Sequence, residues 1–125
     1  MKYGGIEMGG TKMVCAVVDE NFNILEKETI PTTTPEETLS NLVNYFKDKD
    51  ISTLGLASFG PVDLNPKSNT YGYITETPKP GWRNTDVVGY FKKYFNIPIG
   101  FDTDVNAACL GEVMICCMNK MVQHG

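Results

Sequence analysis

An α/β domain whose mixed sheet opens on an antiparallel meander is the fold class this 125-residue sequence predicts. Three observations carry that reading. Two β-rich segments hinge on a glycine cluster at the start of the chain, a clearly signalled helix follows a third strand, and strand-like and helix-periodic segments alternate from there on. The expected order is βββ-α-β-α-β-α, with helices on the faces of the sheet.

Tyr3 to Glu7 and Met13 to Asp19 flank Met8-Gly9-Gly10-Thr11-Lys12, which reads as a hairpin with a glycine turn. Glycine inside regular structure costs roughly 0.5–1 kcal/mol relative to alanine, so Gly4, Gly5, Gly9 and Gly10 together imply a tight turn or a backbone that something approaches closely. Asp19-Glu20-Asn21-Phe22-Asn23 is a second turn, leading into a strand near Ile24 to Ile30. Thr34-Pro35-Glu36-Glu37 then starts a helix: Thr34 caps, Pro35 occupies the first turn, and Glu37 sits where a capping box needs a carboxylate. Leu39, Leu42, Val43 and Phe46 recur at i, i+3, i+4 and i+7, giving one apolar face as far as about Lys49.

Ile51 to Ala57 is a short apolar strand ending in Ser58-Phe59-Gly60-Pro61. The span from Pro61 to Trp82 reads as a long loop, and loops of that length within a domain are usually functional. Asn84 or Thr85 caps a second helix carrying Val87, Val88, Phe91, Tyr94 and Phe95. Ile97 to Phe101 is a strand, and Val105 onward a third helix.

Fifteen acidic against eleven basic residues give a net charge of −4, with no Lys/Arg stripe, so nucleic acid and anionic membrane are poor partners. The 42% hydrophobic content suits one folded core. Neither a signal-peptide core nor a membrane-length apolar run is present, and a cytoplasmic location is expected. Cys15, Cys109, Cys116 and Cys117 lack metal-ligand spacing and read as free thiols.

Two stretches carry chemistry. Gly9-Gly10-Thr11-Lys12 is neither a P-loop nor a dinucleotide fingerprint, so it is either an ordinary hairpin or a cradle of backbone N–H groups for phosphate. Phe101-Asp102-Thr103-Asp104-Val105-Asn106-Ala107-Ala108 lies where a strand gives way to a helix; its carboxylates either cap that helix or reach a ligand at the carboxyl end of the sheet, one as general base.

Together with Gly55-Leu56-Ala57-Ser58-Phe59-Gly60-Pro61-Val62-Asp63 and Thr77-Pro78-Lys79-Pro80-Gly81-Trp82, these stretches resemble, in order and spacing, the N-terminal lobe of the ROK (repressor, open reading frame, kinase) sugar kinases, and of their bacterial fructokinase branch in particular. The likeness runs from about Met1 to Glu112. It implies an actin-like, ribonuclease H-like fold whose two lobes close around MgATP and a sugar. By the same resemblance Gly9, Gly10, Thr11 and Lys12 embrace the ATP phosphates, Glu7 helps hold hydrated Mg²⁺, and Asp104 is the catalytic base. Ser58, Phe59, Gly60 and the loop to Trp82 resemble segments lining the sugar, and Thr103 stands where many members bind the sugar with Asn. The implied reaction is ATP-dependent phosphorylation of D-fructose to fructose 6-phosphate, with glucose, mannose or an N-acetylhexosamine as alternative substrates, or a non-catalytic sugar-binding remnant as the competing class.

Residues 113–125 do not resemble the family. Its second glycine-rich phosphate segment and its His/Cys zinc motif have no counterpart in this sequence. The expectation is therefore a lobe over residues 1–112 with a divergent tail over 113–125, weakly active or inactive alone, and able to associate through an uncovered apolar face or as a homo-oligomer. A repressor of the same family, which carries an N-terminal helix-turn-helix, is not expected, since the sequence starts directly at the first strand.

Overall fold

The computed structural model describes residues 1–103. In chain order the elements are β1 (Lys2–Met8), β2 (Lys12–Asp19), β3 (Ile24–Pro31), α1 (Pro35–Phe46), β4 (Thr53–Ser58), β5 (Tyr73–Ile74), β6 (Thr85–Asp86), α2 (Val87–Lys92) and β7 (Ile99–Thr103). Five strands form a sheet in the order β3-β2-β1-β4-β7, and β5 pairs with β6 in a separate ribbon. β1–β2 and β2–β3 are antiparallel, whereas β1–β4 and β4–β7 are parallel. The mixed sheet thus opens on a meander, as the sequence reading has it.

Register explains which side of each strand is apolar. Gly4, Ile6 and Met8 lie opposite Val17, Cys15 and Met13 on β2, and beside Leu54, Leu56 and Ser58 on β4. Because side chains alternate along a strand, all of these share one face. There they form a core with Leu39, Leu42, Val43 and Phe46 of α1, each fully buried aliphatic or aromatic side chain contributing about 1.5–3 kcal/mol. Gly4 is what lets the helix approach, since a Cβ there would lie 2.8 Å from Ile51 Cδ1 and 3.0 Å from Phe46 Cε1. The opposite face carries Glu7, Ala57 and Asp102 in one row across β1, β4 and β7.

Several boundaries differ from the sequence reading. α1 stops at Phe46, short of Lys49, and Asp50 turns the chain with a positive φ of 56°. Thr34 does cap α1, its Oγ1 accepting from the Glu37 N–H at 3.3 Å, but the Glu37 carboxylate accepts from Thr33 Oγ1 at 2.8 Å. The reciprocal half of the capping box is thereby replaced by a contact one residue earlier. β4 begins at Thr53 and β7 at Ile99, each two residues later than expected. α2 is capped by neither Asn84 nor Thr85: Asp86 Oδ1 accepts from the Gly89 N–H at 2.9 Å, while Thr85 is drawn into the ribbon opposite Ile74 and Asn84 takes a φ of 60°. The third helix expected from Val105 lies outside the described residues, as do Cys109, Cys116 and Cys117.

Burial, with a smaller push from Glu28, raises the Cys15 thiol to about 12, so it behaves as a small apolar core residue. Among the described residues no helix is long and apolar enough to cross a membrane.

The ribbon is joined to α2 through Gly72, whose carbonyl accepts the Val87 and Val88 N–H groups at 3.1 and 3.2 Å. Gly72 has a φ of 89°, and a Cβ there would lie 2.6 Å from Val88 Cβ. Conformational strain and overpacking therefore act together, and Gly72→Ala is expected to lower the unfolding free energy by about 2 kcal/mol or more. Urea denaturation measures this; a loss under about 0.5 kcal/mol would show that the junction is slack.

Candidate active site

The glycine hairpin closes on itself: the Gly9 N–H donates to the Lys12 carbonyl at 3.0 Å. A Cβ on Gly9 would lie 2.7 Å from that same oxygen, so the turn itself demands glycine there. Gly10 is different. A Cβ on Gly10 would meet no atom within 4 Å, and neither glycine has the positive φ that would require one. Nothing within the described protein makes Gly10 necessary, whereas close approach by a ligand would. Thr11 and Lys12 are exposed beside it, adding a hydroxyl and an ammonium to the backbone donors.

The hairpin is braced from behind by Thr32, just past the end of β3. Its N–H donates to the Thr11 carbonyl at 3.0 Å and its Oγ1 to the Gly9 carbonyl at 2.8 Å. Sequence reasoning did not find this residue, because its partners lie more than twenty positions away.

Glu7 stands half-buried near the carboxyl end of β1. It shares a face with buried Asp102, one strand beyond Ala57, so the two Cα atoms are roughly 10 Å apart by the usual strand spacing. Asp102 Oδ1 accepts the Thr103 N–H at 2.7 Å. Among the described residues no group of three or more His, Cys, Asp or Glu gathers to hold a metal. A single half-exposed carboxylate fits a Mg²⁺ that keeps most of its water, as that ion prefers.

Ser58 is fully buried, and its hydroxyl donates to the Phe59 carbonyl at 2.8 Å, supporting the turn after β4. The Phe59 N–H donates to the Met8 carbonyl at 2.9 Å. Gly60 has little room, since a Cβ there would lie 3.0 Å from the Val62 nitrogen. The Phe59 ring meets Trp82 edge-on at 5.5 Å. Trp82 is wholly buried and donates Nε1–H to the Thr33 carbonyl at 2.9 Å, so it anchors the end of the long loop. Thr103 is half-buried at the end of β7. Asp104, the expected base, lies outside the described residues.

The loop that Trp82 closes is organised at its start by Asp63. Its carboxylate accepts from Ser68 Oγ and Thr70 Oγ1, both at 2.6 Å, and from the Asn65 N–H at 2.9 Å. The two hydroxyls, then the amide, hold this carboxyl below the usual aspartate value.

A five-stranded mixed sheet that opens on an antiparallel meander and continues into parallel strands, with helices packed on it, is the α/β layout of the actin-like sugar-kinase fold. The chain belongs to the ROK family, whose family model matches residues 3–122. It is 57% identical over 111 residues to a fructokinase of Lactococcus lactis subsp. cremoris, covering 89% of this chain and 38% of that protein. To a fructokinase of Streptococcus mutans it is 55% identical over 114 residues, covering 90% of this chain and 39% of the relative. The chain thus spans about two fifths of the length of the curated relatives it matches. Among solved structures, it superposes on a ROK family glucokinase from Streptomyces griseus in complex with glucose and AMPPNP with a TM-score of 0.69 at 22% identity, over 85% of this chain and 34% of that one.

Because the Asp63 carboxyl titrates low in the folded chain, its contribution to loop order is complete above the ordinary aspartate value near 3.9 and is lost as pH falls through the lowered folded value. In an NMR titration the Asp63 carboxyl should show a midpoint below about 3.9, with the Asn65 amide moving in step. A midpoint at or above that value would contradict the hydrogen-bonding scheme.

Proposed function

We propose that this chain forms the N-terminal lobe of an ATP-dependent fructokinase, transferring the γ-phosphoryl group of MgATP to D-fructose to give fructose 6-phosphate. The observation that carries this reading is the open space at Gly10, beside exposed Thr11 and Lys12 and one strand end away from Glu7. Fructose is preferred to glucose because the relatives sharing more than half of their aligned residues with this chain are named fructokinases.

In this reading the hairpin N–H groups and the Lys12 ammonium receive the phosphates, and Glu7 holds the water shell of Mg²⁺. When bound, that ion would supply charge neutralisation to the phosphates. Asp104, matched to the family by sequence, takes the proton of the attacking sugar hydroxyl, as general bases do. Phe59, Gly60 and the loop anchored by Trp82 border the sugar, with Ser58 stiffening the turn beneath them. Phosphoryl transfer is mostly positioning and charge neutralisation, so these groups supply one flank of the reaction. The 125 residues alone are expected to turn over weakly, because they match about two fifths of each relative. The proposed setting is cytoplasmic, with a hexose rather than nucleic acid as partner.

Two measurements test the reading. Gly10→Val should weaken MgATP binding about tenfold or more with little change in the urea midpoint, because a Cβ at this position meets no atom within 4 Å; unchanged binding would remove the hairpin from the phosphate site. Fructose 6-phosphate formation should fall about 10²-fold or more in Asp104→Asn. A parent rate measurable above background that survives unchanged in Asp104→Asn would show that Asp104 is not the base.

A further inference from the structure

A closed circuit of contacts joins the two sides of the candidate site, and it is completed by Thr32 and Thr33, neither of which belongs to the ligand-binding set. It starts at the hairpin, where Thr32 holds the Gly9 and Thr11 carbonyls at 2.8 and 3.0 Å. The next residue, Thr33, presents its carbonyl to Trp82 Nε1 at 2.9 Å. Trp82 packs edge-on against Phe59 at 5.5 Å. Phe59 returns to the hairpin through its N–H, which donates to the Met8 carbonyl at 2.9 Å.

The Thr32–Thr33 pair is itself held from a third direction. The Thr33 N–H donates to Thr38 Oγ1 at 2.8 Å, and Thr33 Oγ1 donates to Glu37 Oε1 at 2.8 Å, both on the first turns of α1. Thr38 is fully buried, so this attachment point is fixed by the helix and the core under it.

We propose that Thr32 is a positioning residue, and that the Thr32–Thr33 segment is a strap coupling the glycine hairpin to the Trp82 loop so that the two move as one unit. The tie stands on this geometry alone; its meaning, that phosphate-side and sugar-side segments are kept in mutual register, rests on the kinase reading. Two backbone carbonyls of the hairpin are thereby held by Thr32, while the Gly9 N–H closes the turn on the Lys12 carbonyl. Without the Thr32 hydroxyl, the Gly9 carbonyl loses its partner and the turn is held by one fewer cross-link.

The test needs no ligand, so its outcome is separate from whether the chain binds nucleotide. The chain contains one tryptophan, and its indole N–H gives a single assignable NMR signal. In Thr32→Val, which keeps the backbone N–H and removes the hydroxyl, the Gly9 amide should exchange with solvent about fivefold faster or more and the Trp82 indole resonance should shift. Thr32→Ser should restore both, and the Leu42 amide within α1 should be unaffected throughout. Faster Gly9 exchange with an unmoved indole signal would overturn the coupling, and no change at either would overturn the role of Thr32. Should Thr32→Val fail to fold, Trp82→Phe asks the same question from the other end. Loss of the indole donor should accelerate Gly9 exchange, and an unchanged Gly9 rate would overturn the strap.

Discussion

The indole of Trp82 joins segments that are forty-nine residues apart, through one hydrogen bond from Nε1 to the Thr33 carbonyl and an edge contact with Phe59. Its surface is completely withdrawn from solvent; a tryptophan buries about 150–250 Å², and this apolar contribution offsets part of the entropy of fixing the loop that precedes it. With its N–H satisfied, that burial carries no desolvation penalty. The consequence is geometric. The long loop between Pro61 and Trp82 has an end as fixed as the core, and that end lies against the same backbone that steadies the glycine hairpin.

From this constraint the layout of the site follows. β1 lies between β2 and β4, so the hairpin, Glu7, and the turn through Ser58 and Phe59 converge at the same end of the sheet. Asp102 arrives there on β7 through parallel pairing with β4. Ligands of open α/β sheets bind outside the carboxyl ends of parallel strands. A lobe organised in this way brings backbone donors and a carboxylate to one rim, while its other parts provide stiffness.

How much of this can be read from the sequence depends on how local the determining interaction is. Thr34 and Pro35 announce α1 because a cap and a first-turn proline act within four residues, and the apolar period of Leu39, Leu42, Val43 and Phe46 reports directly on the buried face. The α2 cap is misread because Asn84, Thr85 and Asp86 are all competent, and the choice is made by Thr85 pairing with Ile74 eleven residues earlier. The two-residue ribbon strands are too short to carry any periodicity. Glu37 is placed in a capping box by its spacing, yet a nearer hydroxyl on Thr33 takes its carboxylate. In the site, Gly9 and Gly10 are visible as a cluster, but only the surroundings of each separate a turn requirement from open space. Thr32 carries no signal at all, since a threonine at a strand end is ordinary until its distant partners are known.

The kinase reading requires the hairpin, held by the strap, to act as a phosphate cradle. The most direct measurement is an amide chemical-shift map of the 125-residue chain titrated with MgATP. The account predicts saturable changes that are largest at Gly9, Gly10, Thr11 and Lys12, with the Trp82 indole signal moving along the same titration curve. Saturable binding that leaves those four amides unmoved, or a chain that remains folded and shows no change at any MgATP concentration, would contradict it.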